Sequence, residues 1–211
     1  GQAVIMRPST GEILAMASVA KDEDGKVANT GDNRSVTSVF EPGSVNKMIT
    51  VAGAIEEGTV TPDTVLSVPS QLQIYDRLFK DSHPHPVSDW SVTDIIATSS
   101  NIGTIKVAQM LGKDKVDAYL RDFGFGTSTG LGFPGETAGI MKDPADWSGV
   151  DIGAIPIGQG IAVSALQMLG AYNVVANDGV YIAPKLVAPT DTARGAPPTE
   201  PPHGRRASPQ D

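Results

Sequence analysis

A serine and a lysine three residues apart, Ser44 and Lys47, have the types and the spacing of a nucleophile and its base. Pro42 and Gly43 predict a turn just before them, and apolar residues recur after them at the spacing of one helix face, so we expect a helix to begin close to Ser44. Residues three apart share a helix face, which brings the hydroxyl and the amine within hydrogen-bond reach. The pair therefore predicts covalent catalysis by a serine that passes its proton to a lysine.

A lysine acts as a base near neutral pH only if its charged form is destabilised, and burial among the apolar residues of the same helix could do this. The positive end of the helix dipole would also favour an alkoxide or a bound anion at Ser44. The pattern alone is not specific, because Ser18 and Lys21 match it where an apolar strand runs into a charged loop. The alternative for Ser44 is a helix cap, with Lys47 on a solvated face.

A second polar cluster, Ser99, Ser100 and Asn101, lies between two predicted helices. Ser91 is expected to cap the first, which ends at about residue 98, and the second runs through apolar positions to residue 111. The cluster would then occupy a tight joint from which Ser99 and Asn101 project into a cleft. The alternative is a helix N-cap, which serine and asparagine form readily.

The remaining segments are mostly structural. Residues 1–18 predict a β-hairpin, residues 21–34 a polar surface loop, and residues 164–177 a long apolar helix that belongs to the core. Residues 71–90 show no periodicity; His83, His85 and Asp81 in this stretch could be considered as metal ligands, but the three histidines of the chain are too few to favour a metal site. Residues 188–211 are rich in proline and predict a linker or disordered tail.

Composition narrows the classes of function. The chain has 211 residues, a net charge of -8 and no cysteine, and its isoelectric point is near 4.8. This charge argues against nucleic acid as a partner, and the lack of cysteine excludes disulfides and thiolate metal sites. No apolar run is long enough to span a bilayer, so we expect any anchor or export signal to lie outside these residues.

Several segments together resemble one family. The opening hairpin, FEPGSVNK around Ser44, TSSNIG around Ser99, FGFGTSTGLGFPGE and the GQG turn before the long helix are similar, in the same order, to the transpeptidase domain of class B penicillin-binding proteins. The resemblance covers residues 1 to about 187. It implies an α+β fold of the serine β-lactamase and D,D-transpeptidase type, with an antiparallel sheet flanked by helices and an all-helical lobe.

The resemblance also implies roles for the two clusters. Ser44 would be the acylated serine and Lys47 its base, Ser99 would relay a proton to the leaving D-alanine, and Asn101 and Ser100 would bind substrate. The reaction would cross-link peptidoglycan stem peptides, and β-lactam antibiotics would acylate the same serine. No cofactor or metal is expected. The parent protein would be anchored at the periplasmic face of the bacterial inner membrane and would work with other cell-wall synthesis proteins.

One motif of the family is not found. The resemblance implies a Lys-Thr-Gly or Lys-Ser-Gly motif on an inner strand, but no lysine here is followed by Thr-Gly or Ser-Gly. We therefore expect residues 1–187 to be a partial transpeptidase domain whose C-terminal strands are missing from this chain. A complementary C-terminal fragment, as a second chain, could supply them, and this piece alone would be inactive or impaired.

Two alternatives remain open at this stage. A β-lactamase-like hydrolase needs a carboxylate to activate water, and Glu136 lies where such a group could stand, although its Pro-Gly-Glu context favours a role in loop structure. The other is a scaffold or binding module of the division or elongation machinery that kept the fold and lost the chemistry.

Overall fold

A computed structural model describes residues 1–186. The described residues divide into two compact units, the first formed by Gly1–Phe40, Arg121–Ile140 and the part from Val163 onward, the second by Glu41–Leu120 and Met141–Ala162. The predicted linker or disordered tail at 188–211 lies outside the described residues. No helix in the described part is long and apolar enough to cross a membrane.

The regular elements follow one another in mixed order. The strands are β1 (Gln2–Met6), β2 (Ile13–Lys21), β3 (Val27–Asn29), β4 (Val65–Val68), β5 (Gln71–Ile74), β6 (Arg77–Lys80) and β7 (Ser88–Ser91). The α-helices are α1 (Arg34–Thr37), α2 (Lys47–Glu56), α3 (Val92–Ala97), α4 (Asn101–Leu111), α5 (Lys113–Asp122), α6 (Asp151–Ala154) and α7 (Ala165–Ala176). Short 3-10 helices occupy Gly43–Asn46, Pro144–Asp146 and Ile155–Ile157.

The sheet of the first unit confirms the predicted hairpin. Its strands run antiparallel in the order β1-β2-β3. β3 lies in the stretch predicted as a surface loop, and that prediction was wrong in part. The charged run turns back at Asp22, whose backbone N–H donates to Lys26 O at 3.0 Å and whose side chain accepts from Lys26 N at 2.8 Å. The turn lets β3 pair with the end of β2.

Helix α7 forms the buried centre of the first unit, as its apolar sequence predicts. Ser164 caps it, and a reciprocal bond from Gln167 completes a capping box. α1 and α7 both contact β1, and Phe125, Val163 and Leu166 are fully buried. The pairing of an antiparallel sheet with these helices confirms the α+β class.

The second unit is mostly helical, and α4 is its central helix. α4 contacts α2, α3, α6 and the 3-10 helix Ile155–Ile157. Ile102 and Ile105 on its buried face belong to a hydrophobic core. The surrounding strands and helices contribute Val68, Phe79 and Ile95 to the same core. Burial of these residues fixes the ends of α3 and α4, where the second polar cluster lies.

The expectation of an all-helical lobe needs correction. In the described residues, the second unit also contains two two-stranded antiparallel sheets, β4 with β7 and β5 with β6. Each strand has four residues, too few for a clear alternating pattern in the sequence. Val68 and Phe79 nevertheless point into the core from β4 and β6, so the strands form because they cover its open side.

Candidate active site

Ser44 lies in a tight turn that leads directly into α2. Pro42 precedes the 3-10 helix Gly43–Asn46, and α2 continues from it at Lys47. The Ser44 side chain is exposed, and its hydroxyl makes no hydrogen bond with any of the described residues. Ser44 is therefore not a helix cap, and its hydroxyl is accessible to a substrate.

The turn is held from one side by the segment 155–160 of the same unit. Gly43 N donates to Gly158 O at 2.9 Å, and the fully buried Asn46 donates through Nδ2 to Ile155 O at 2.9 Å. Two further bonds join the same segments: Thr50 Oγ1 to Pro156 O at 3.2 Å and Gly160 N to Glu41 Oε1 at 2.8 Å. These bonds fix the position of Ser44, and sequence reasoning did not find them because their partners are more than a hundred residues apart.

Lys47 is buried, with only 2% of its surface exposed. Burial lowers the pKa of Lys47 from its ordinary value of 10.5 to about 8, and the negative charge of Asp81 acts in the opposite direction. The amine donates to Ser99 O at 2.5 Å and to Ser99 Oγ at 3.1 Å. The solvated alternative for Lys47 is thus wrong, and the amine contacts Ser99 rather than the Ser44 hydroxyl.

Ser99 occupies the joint between α3 and α4 in a conformation that is rare for its type. Its φ is +55°, in the left-handed region, which a residue other than glycine adopts only when its surroundings hold it there. The side chain is exposed. The Ser99 hydroxyl and backbone carbonyl both accept from Lys47, so the two predicted clusters meet at this residue.

Ser100, which the resemblance implied as a substrate-binding residue, is bonded inside the protein. Its side chain is buried, with 2% of the residue exposed. The hydroxyl caps α4 by accepting from Gly103 N at 2.8 Å, and it donates to Asp81 Oδ2 at 2.8 Å. The hydroxyl thus donates and accepts within the protein, and Ser100 is the N-cap of α4. A helix N-cap was the alternative for Ser99 and Asn101, and the residue that forms it is Ser100.

Asn101 is the first residue of α4 and is held by the end of β6. Its Nδ2 donates to Lys80 O at 2.7 Å and its backbone N donates to Asp81 Oδ1 at 2.5 Å. The side-chain oxygen Oδ1 accepts no hydrogen bond from any described residue. This oxygen is therefore the atom of the amide that a ligand could use.

Asp81 and His85, which the sequence suggested only as a disfavoured metal site, are members of this site. The Asp81 side chain is 6% exposed and accepts from His85 Nε2 at 3.0 Å. The His85 ring also stacks on Trp90, with 4.4 Å between ring centroids. His83 is exposed, and no group of three ligand-type side chains that could hold a metal ion occurs among the described residues.

Ser18 and Lys21, which also match the Ser-x-x-Lys pattern, lie on strand β2. Side chains three apart on a strand point to opposite faces, so they cannot act as a pair. The pair Ser44 and Lys47 differs because it spans the start of a helix.

With this geometry, comparison with known proteins identifies the family. The model of the family described as "Penicillin binding protein transpeptidase domain" matches residues 1–210. The chain belongs to this penicillin-binding transpeptidase family.

Individual members of the family give the degree of similarity. The penicillin-binding protein PbpB of Mycobacterium tuberculosis is 39% identical over 204 residues, which are 94% of this chain and 30% of that protein. The peptidoglycan D,D-transpeptidase FtsI of Escherichia coli is 33% identical over 187 residues, 86% of this chain and 31% of that protein. The chain thus spans about 30% of the length of these relatives.

Solved structures of penicillin-binding transpeptidases share the fold. Penicillin-binding protein 3 of Mycobacterium tuberculosis, crystallised with ampicillin, has a TM-score of 0.80 and 36% sequence identity, and the match covers 98% of this chain and 47% of that one. The same protein crystallised with aztreonam has a TM-score of 0.79 and 37% identity over 88% of this chain and 43% of that one.

The family assignment fits the position of Glu136. Its Oε1 accepts from Thr129 N at 2.6 Å and from Thr129 Oγ1 at 2.5 Å, within the glycine-rich segment of the first unit. The carboxylate therefore closes a loop, as its Pro-Gly-Glu context predicted.

Proposed function

We propose that this chain contributes the nucleophile and the base of a peptidoglycan D,D-transpeptidase, with Ser44 as the acylated serine and Lys47 as its base. The observation that carries the proposal is the contact between the buried Lys47 amine, whose pKa is lowered to about 8, and the Ser99 hydroxyl at 3.1 Å. A neutral amine has two N–H groups and one lone pair. Ser99 accepts from the amine twice, so the lone pair stays available for the Ser44 proton.

In the acylation step, Ser44 Oγ attacks the carbonyl carbon of the penultimate D-alanine of a stem peptide while its proton passes to Lys47. A new ester bond forms, and the amide bond to the terminal D-alanine breaks. The departing amine takes its proton from Lys47 through the Ser99 hydroxyl, which restores the neutral base. In the second step, the amine of a neighbouring stem attacks the ester carbonyl and gives a proton to the neutral Lys47; an amide bond forms, the ester bond breaks, and Lys47 returns the proton to Ser44 Oγ.

Substrate recognition would rest on Asn101, whose free Oδ1 can accept from an amide N–H of the stem peptide. β-Lactam antibiotics would acylate Ser44 by the same route. We also propose that residues 1–187 form part of a transpeptidase domain completed by residues outside this chain. The whole protein would act at the outer face of the bacterial inner membrane, together with other cell-wall synthesis proteins.

The test uses the full-length protein and a fluorescent penicillin. The wild type should form a labelled species that survives denaturing electrophoresis, while Ser44→Ala should show no labelling. Ser18→Ala is the matched control, because Ser18 stands in the second Ser-x-x-Lys pattern, and it should label like the wild type. An unlabelled wild type would instead support a non-enzymatic scaffold, and labelling of Ser44→Ala would end the assignment.

A further inference from the structure

The α3–α4 joint is held by a carboxylate that lies outside both helices. Asp81 follows β6 directly and is 6% exposed at its side chain. Its Oδ1 accepts from Asn101 N at 2.5 Å and from Ile102 N at 3.0 Å, and its Oδ2 accepts from Ser100 Oγ at 2.8 Å. Three consecutive residues of the joint are therefore bound to one side chain.

Asp81 supplies the negative charge that the first turn of α4 lacks. The first N–H groups of a helix have no partner within it, and a negative charge there is favourable. α4 has no acidic residue in its first turn, so Asp81 supplies both the acceptors and the charge from the loop that follows β6. The position of Asn101 and Ser99 thus depends on Asp81 rather than on the helix alone.

The same loop also orients the Asn101 side chain. Lys80 O accepts from Asn101 Nδ2 at 2.7 Å, next to the bond from Asn101 N to Asp81. Two successive residues of the chain therefore hold the backbone and the amide of Asn101 together. Rotation of the amide is restricted, and its oxygen faces away from Lys80.

His85 forms a hydrogen bond with Asp81 from the same loop. Its Nε2 bonds to Asp81 Oδ2 at 3.0 Å and its Nδ1 lies 2.7 Å from Pro86 O. Both ring nitrogens face acceptors, and only the imidazolium can donate to both. The hydrogen bond to Asp81 accordingly raises the pKa of His85. The ring also packs against Trp90, with the two ring planes tilted by 32°.

Asp81 also acts on the base electrostatically. Its negative charge favours the ammonium form of Lys47, against the effect of burial. The ionisable groups of the described residues that interact with Asp81 are Lys47, on α2, and His85, in its own loop; α3 and α4 bring no other charged side chain into contact with it.

The geometry points to Asp81, supported by His85, as a positioning residue that sets the α3–α4 joint for acyl transfer at Ser44. This inference rests on the proposed transpeptidase function. It adds two residues that do not touch the substrate and act through Ser99, Ser100, Asn101 and Lys47.

The decisive variant is Asp81→Asn in the full-length protein, measured by the second-order rate of labelling with fluorescent penicillin between pH 6 and pH 10. Asparagine places an N–H2 group against donors, so the joint shifts and the rate falls roughly tenfold to a hundredfold, the effect of misplacing catalytic groups by a fraction of an ångström to one ångström. Loss of the charge also moves the midpoint of the pH profile to lower pH. A purely structural role would not move that midpoint.

Asp94→Asn is the matched control, because Asp94 also caps a helix, accepting from Ser91 N at 3.0 Å. It should lower the thermal midpoint and leave both the labelling rate of the folded protein and the pH midpoint unchanged. If Asp81→Asn behaves like Asp94→Asn in these two readouts, the proposal is overturned. Failure of the proposed function itself looks different: the wild type would not label, or Ser44→Ala would.

If Asp81→Asn does not fold, variants of His85 test the proposal instead. His85→Ala removes the donor to Asp81 and should lower the labelling rate several-fold, while His85→Gln, which keeps an N–H donor, should restore part of it. His83→Ala is the control, since His83 lies exposed in the same loop. Equal labelling rates for His85→Ala and His83→Ala would overturn the proposal.

Discussion

The Lys47 amine lies 3.1 Å from the Ser99 hydroxyl and 2.5 Å from the Ser99 backbone oxygen. Residues 52 positions apart in the chain are thereby joined at the point where α2 faces the α3–α4 joint. Because Lys47 is almost fully buried while Ser99 is exposed, the contact can carry a proton from a protected base to a group that a substrate can reach.

The rate of acylation should follow the protonation of Lys47. Its pKa is lowered to about 8, so the neutral fraction rises about tenfold between pH 7 and pH 9. The second-order rate of acylation by a β-lactam should therefore increase over this range with a midpoint near pH 8. Stopped-flow measurements with a chromogenic β-lactam would check it. Lys47→Arg should abolish the rise, because arginine stays charged; a profile that is flat in the wild type would exclude Lys47 as the base.

Burial of Lys47 should lower the stability of the protein near neutral pH. The folded-state pKa lies below the unfolded one, so below about pH 8 both states are protonated and the penalty is fully present. It disappears as the pH rises toward 10.5. Lys47→Met should thus raise the free energy of unfolding at pH 7 by up to roughly 3 kcal/mol, and less at pH 10.

Urea unfolding at the two pH values would measure this difference. The control is Lys26→Met, at an exposed position in the loop between β2 and β3, which should change the free energy of unfolding little at either pH. A loss of stability in Lys47→Met that is the same at both pH values would contradict the assigned pKa.

Gly158 should be required for the position of Ser44. Its φ is +77°, and a Cβ at this site would lie 2.3 Å from the Gly43 backbone oxygen, closer than any real contact. Gly158→Ala must push the turn that carries Ser44 outward, which should reduce acylation roughly a hundredfold.

Gly112→Ala is the control that separates the effect of the steric clash at residue 158 from the effect of backbone strain. Gly112 also has a positive φ, +89°, but a Cβ there would meet nothing within 4 Å. This variant should lose about 1 kcal/mol of stability and keep its acylation rate. Equal acylation rates for the two glycine variants would show that the approach of residues 43 and 158 does not set the nucleophile.

Much of this arrangement could be predicted from the sequence. The opening hairpin, α2, α4 and α7 each show a clear periodicity or a capping signal, and Ser91 and Ser164 cap the helices that follow them. Ser44 and Lys47 were found because their spacing spans the start of a helix. Local patterns of this kind carry their own information, so they need no tertiary contact to be recognised.

The strands between residues 65 and 91 could not be predicted from local sequence patterns. β5 and β6 are joined by a turn at Tyr75 and Asp76, and Tyr75 has a φ of +50°. Such two-residue turns usually carry asparagine or glycine, so the sequence gives no hairpin signal. β4 pairs with β7, twenty or more positions away. Asp81 was missed for the same reason, because its partners at Ser100 and Asn101 are distant in sequence.

Glu136 should contribute stability rather than hydrolysis. Glu136→Gln weakens two short bonds to Thr129 and should lower the free energy of unfolding by about 1–3 kcal/mol, with the deacylation rate of the penicilloyl-enzyme unchanged. Glu23→Gln, in an exposed loop, is the control for stability. Release of the labelled penicilloyl group over hours, followed by mass spectrometry, gives the deacylation rate; a marked slowing in Glu136→Gln would favour the hydrolase alternative.

The most direct test locates the acyl group. The full-length protein is incubated with a penicillin, digested with trypsin and analysed by tandem mass spectrometry. Cleavage after Arg34 and Lys47 places Ser44 in the peptide 35–47, which also contains Ser35 and Ser38. We predict that this peptide gains the mass of one penicilloyl group and that fragmentation assigns it to Ser44. A penicilloyl group on any other residue, or no adduct at all, would contradict the account.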